Sequence, residues 1–99
     1  MSKLFDSPAM RETVKRYLKS EMALKGLDYR ALAARLEGLG IHQTEANLRM
    51  KISRGTLGAQ LFVYILLALE LRNLDLSRVQ ECLADVEATS EESVVLEFA

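Results

Sequence analysis

The sequence predicts an all-α fold: five short helices in a single bundle, followed by a short C-terminal tail of β type. Three observations carry that expectation. Apolar residues recur at intervals of three and four along most of the chain, the spacing of one helix face. Glycines at 26, 38, 40 and 55 interrupt the pattern where helices should stop. Only near the end, where Val94, Leu96 and Phe98 alternate with Val95 and Glu97, does a strand pattern replace it.

The elements follow in order. Ser7-Pro8 is a helix start, with serine as N-cap and proline at the first helical position, where its missing N–H is no loss. Met10, Val14, Tyr17, Leu18 and Met22 form the inward stripe of the first helix, and Gly26-Leu27 closes it. Asp28 caps a second helix, Tyr29 to Glu37, facing inward through Leu32, Ala33 and Leu36. Gly38-Leu39-Gly40 breaks that helix. A third opens at Gln43 or Thr44 and runs to about Ser53. At 100° per residue, Ile41, Leu48 and Ile52 share its inner face, and Gln43, Ala46, Asn47 and Met50 the outer one, flanked by Arg49 and Arg54. From Ala59 to about Leu71 the chain is apolar nearly all round, which predicts a buried central helix. The fifth helix, Leu76 to Glu87, shows Leu76, Val79, Leu83 and Val86 on one face with Cys82 beside them.

Ninety-nine residues make one core, here divided as residues 1–87 for the helical domain and 88–99 for an acidic connector and extended tail. One cysteine builds no disulfide framework, which points to a reducing compartment. The N-terminal residues show no apolar signal region. The uncharged run Leu61 to Leu69 falls well short of the ~20 residues a bilayer demands. A cytoplasmic protein is expected. Its formal charge of −1 conceals two unlike halves. Arg11 to Arg54 holds ten Lys/Arg against five Asp/Glu, whereas Gly55 to Ala99 holds two against eight. A basic half of this kind suits a polyanion partner.

Several segments resemble the lambda-repressor-like helix-turn-helix domains of the Cro type. Leu27-Asp28-Tyr29-Arg30-Ala31-Leu32-Ala33 looks like the opening of that family's helix 2, and Gly40-Ile41 like its turn. Ile52-Ser53-Arg54-Gly55 is similar to the end of its helix 3, and Leu61, Ile65, Ala68 and Leu69 to its helix 4 pattern. The turn and the third helix are each three residues longer than in that family, and Ser53 stands for its usual glutamate. The chain resembles more closely a bacterial family of small domains with the core ALxxRL…TExNLxxKISRG, which bears on fold rather than activity.

The helix-turn-helix resemblance implies sequence-specific binding of double-stranded DNA by a homodimer, in a transcriptional regulatory role. Gln43, Asn47, Arg49 and Met50 would face base edges, where Gln and Asn suit adenine and Arg suits guanine. Tyr29, Arg30, Lys51, Arg54 and Thr56 would contact phosphates, which position the protein without reading sequence. The resemblance implies no cofactor.

Other residues point elsewhere. Lys15, Arg16 and Lys19 form a solubilising face or widen the basic surface. His42 lacks the two or three companions a metal site needs, and Cys82 reads as a small core residue. No catalytic constellation or phosphate loop is present, so an enzyme is not expected. The tail, through Val94, Leu96 and Phe98, either pairs with the same segment of another chain, folds back on helices 1 and 5, or frays. A rival to the DNA reading is a protein-interaction module that uses the acidic half and this tail. RNA binding is disfavoured by the absence of an aromatic stacking platform.

Overall fold

The computed structural model describes the backbone of residues 5–98 and the side-chain surroundings of residues 5–89. Five α-helices follow one another: α1 Pro8–Lys25, α2 Tyr29–Gly38, α3 Glu45–Arg54, α4 Ala59–Ala68 and α5 Leu76–Phe98. The chain is all-helical, and no strand occurs among the described residues.

Local chemistry sets most of the boundaries. The side chains of Ser7, Asp28 and Thr44 accept hydrogen bonds from the backbone N–H of Met10, Ala31 and Asn47 at 3.1, 2.8 and 3.0 Å. Each satisfies one of the N–H groups that a helix start leaves unpaired. α1 closes as its glycine predicts, with Leu27 N–H donating to the Met22 carbonyl at 2.9 Å. α4 stops three residues earlier than expected. Glu70 there takes φ +60, and Leu71 N–H donates back to the Leu66 carbonyl. The same closing motif is thus built without a glycine, which is why composition did not reveal it.

α1 packs against α3 and α5, and α2 against α3 and α4. The core is one cluster contributed by four helices: Tyr17, Leu18 and Met22; Leu32 and Leu36; Leu48 and Ile52; Ile65, Ala68 and Leu69. α5 joins it through Val79, which is half-buried, and Val86 is buried on the same helix.

Three expectations need correction. α4 is not buried all round: Val63, Tyr64 and Leu67 are open to solvent, because α2 covers one side only. Leu76 and Met10 also lie outside the core, each at the first turns of its helix. The expected tail strand is instead the continuation of α5, whose backbone runs unbroken through the acidic connector to Phe98. Extending an existing helix adds one hydrogen bond per residue fixed, whereas a strand without a neighbouring strand gains none. The contacts assigned to Val94, Leu96 and Phe98 lie outside the residues whose side chains are described.

α1 and α5 are joined by a polar cluster that periodicity did not foresee. Glu21 is buried on α1 and pairs with Arg78 of α5. The Arg78 guanidinium also donates to Ser20 Oγ at 2.7 Å and lies 5.4 Å from the centre of the Tyr17 ring. The Tyr17 hydroxyl in turn accepts from the backbone N–H of Asp75 at 3.4 Å. The buried carboxylate has its charge partner, as a group in that environment requires.

Candidate nucleic-acid interface

α3 is amphipathic, and the direction of its polar side decides whether it can meet a partner. Leu48 and Ile52 point into the core and are fully buried. Ala46, Asn47, Arg49, Met50, Ser53 and Arg54 are exposed. Among the described residues, no helix covers that side. Met50 is 43% exposed at its centre, an apolar group between polar neighbours.

Arg49 is held rather than free. Its Nη2 donates to Glu45 Oε1 at 3.1 Å, one turn earlier on α3. Its guanidinium also lies 5.4 Å from the centre of the Tyr29 ring at the start of α2. Tyr29, expected on phosphate, is half-buried against the core and gives Arg49 an aromatic platform across the two helices. Gln43 and Lys51 are also engaged with each other. Lys51 Nζ donates to Gln43 Oε1 at 3.2 Å, and both are half-buried. Arg30, Arg54 and Thr56 are exposed, and neither arginine forms an ion pair with a described residue.

The expected readers therefore fall into two groups. Asn47 and Met50 lie on the open face with Arg49 at its flank beside Tyr29, whereas Gln43 and Lys51 sit at the edge towards α4. There they line an open cleft of ≈ 570 Å³ with Gln60 and Tyr64 of α4. Lys15 and Arg16 are both drawn to Glu12, at 3.8 and 2.9 Å, which offsets part of their charge. His42 Nδ1 stands 3.1 Å from Glu37 Oε2 in an exposed pair.

Two arginines that sequence reasoning passed over have defined places. Arg35 donates to the Ala68 carbonyl at 3.1 Å, capping the end of α4 from α2. Arg11 reaches the end of α3 because Gly55, at φ +65, has no side chain. A Cβ there would fall 2.7 Å from the Arg11 Cα and closer still to its carbonyl oxygen. The glycine was legible as a helix stop. Its contact with α1 was not, since residues 44 positions apart share no local pattern.

Among the described residues, no helix is long and apolar enough to cross a membrane. No curated protein and no solved structure matches the chain. A family model does match residues 10–74, from the first turn of α1 to the approach to α5, and contains both helices of the candidate interface. On that match, covering about two thirds of its length, the chain belongs to the family described as a domain of unknown function, DUF6471.

Proposed function

We propose that this domain binds double-stranded DNA, with α2 and α3 acting as a helix-turn-helix pair and α3 entering the major groove. The observation that supports the reading is the outer face of α3, uncovered by any described element, where Asn47 and Met50 are exposed and Arg49 flanks them on the basic half of the chain. Asn47 and Arg49 carry base readout, with Met50 against a thymine methyl and Gln43 at the margin. Arg30, Lys51, Arg54 and Thr56 supply phosphate contacts, and Tyr29 supports Arg49. The protein acts as a regulator of transcription, as a homodimer on two half-sites about one DNA turn apart, ~34 Å.

Fluorescence anisotropy with mixed duplex fragments at low and moderate salt tests the reading. Affinity is expected to fall steeply as salt rises, since each neutralised phosphate contributes about −0.9 to the log–log slope. Arg54→Ala should make that slope shallower by about one unit. A slope left unchanged removes Arg54 from the interface, and no binding at either salt concentration removes the function.

One observation favours a second reading. Glu81, Asp85 and Glu87 on α5 are exposed, as are Val63, Tyr64 and Leu67 of α4. A protein-interaction module would use these surfaces and leave α3 as scaffold. Charge reversal on α5 (E81K/D85K) would abolish partner capture under that reading. Under the DNA reading it raises affinity for duplex instead.

A further inference from the structure

α5 is fastened differently from the other four helices. Each of α1 to α4 places at least two residues in the shared core, whereas α5 packs on α1 alone. Among its described residues only Val79 reaches that core. Cys82 and Leu83 stay half-buried, and Val86 is buried outside it. Much of what holds α5 is polar: Arg78 meets Glu21 and Ser20, and the Asp75 N–H donates to the Tyr17 hydroxyl. An ion pair of this kind holds two surfaces no better than an apolar pair of similar size, because both charges must shed water. Interfaces that are small and polar belong to parts of a chain that move relative to one another. α5 also carries its own start signal, since Asp75 Oδ1 accepts from the Arg78 N–H at 3.2 Å. The residues leading into it, Arg72 to Asp75, are exposed, and the family match ends among them at residue 74.

We propose that α5 is a latch: it lifts off α1 as one unit, pivoting at residues 72–75, while α1 to α4 stay folded. The Arg78 cluster sets how often it opens. The face uncovered on α1 carries the Tyr17 hydroxyl, Ser20 and Glu21, groups that water satisfies once Arg78 has left. The core of α1 to α4 is not broken by the movement, since Val79 is the only described contact that α5 makes with it. Opening also redistributes charge. Residues 1–75 hold twelve Lys/Arg against eight Asp/Glu, whereas α5 holds one against six. The closed chain is nearly neutral, and the opened one is a basic body joined to an acidic arm. The inference concerns the free chain and does not rest on the duplex reading.

Hydrogen exchange of the full chain in low, rising concentrations of urea reads the opening directly. The amides of Cys82 to Val86 are expected to share one opening, about tenfold or more as frequent as that of Leu18, Leu36 and Ile52. Its urea dependence should be smaller, because less surface is exposed. Ile65→Val, in a helix that α5 does not touch, should speed exchange at Leu18, Leu36 and Ile52 about three- to tenfold. It should leave Cys82 to Val86 unchanged. Arg78→Ala should speed exchange at Cys82 to Val86 about fivefold or more. Equal rates and equal urea dependence in α5 and the core overturn the proposal. So does an Ile65→Val effect that reaches α5 in full. Protection that falls steadily from Cys82 to Val86 means fraying from the end, and likewise overturns it. An Arg78→Ala chain that exchanges like the native one overturns the role of the cluster.

Discussion

The contact between Gly55 and Arg11 shows how much a single missing Cβ can decide. Gly26 and Gly55 end their helices with nearly the same backbone, φ +68 and +65, but nothing lies within 4 Å of a Cβ added at Gly26. Gly26→Ala should therefore lose only the left-handed penalty, about 1 kcal/mol. Gly55→Ala should lose that and also push α1 away from α3, for a total of about 3 kcal/mol or more. Urea denaturation of the two variants checks the contrast, and equal losses would mean that α1 yields at no cost. Glu21 offers a second comparison at this scale. Glu21→Ala leaves Arg78 without its charge partner and should destabilise by about 1–3 kcal/mol, toward the low side because Arg78 is partly exposed. An apolar pair, E21L/R78L, should recover most of the loss. If the double variant is worse than the single one, the polar cluster does more than satisfy itself. Neither residue was legible beforehand. Glu21 occupies an inward position on α1 that an apolar pattern skips, and its partner lies 57 residues away.

At the scale of the element, caps and stripes were legible and exposure was not. Ser7, Asp28 and Thr44 each announce a helix through chemistry confined to four residues, so α1, α2 and α3 begin where the sequence says. α4 was read as buried on every side because all its residues are uncharged, but composition cannot tell which neighbours arrive. The face carrying Ile65, Ala68 and Leu69 meets α2, and the opposite face meets nothing described. Its end was missed because Glu70 occupies a backbone conformation that favours glycine. Glu70→Gly should relieve that strain, raising stability by about 0.5–1 kcal/mol after allowing for the greater freedom of glycine in the unfolded chain. A melting temperature that falls instead would show that the Glu70 side chain contributes something the backbone argument omits. α5 taught the opposite lesson. Five alternating residues suggested a strand, but the preceding helix supplied the conformation they extended.

For the whole molecule, the uneven charge was legible from counting, and its spatial meaning required the fold. The exposed basic side chains lie on α1, α2 and α3, those of the candidate interface on α2 and α3, whereas the exposed Glu81, Asp85 and Glu87 lie on α5, which is packed on α1. α1 therefore stands between the two, meeting α5 through the Arg78 cluster and the end of α3 through Gly55. A backbone-to-backbone contact has no rotamers with which to absorb a displacement. A tilt of α5, whether from a bound protein or from altered charge along its outer face, is expected to pass through α1 to the turn after Arg54. Hydrogen exchange at the final turn of α3 should then respond when the acidic flank of α5 alone is altered, and an unchanged rate would mean that α1 does not transmit the displacement.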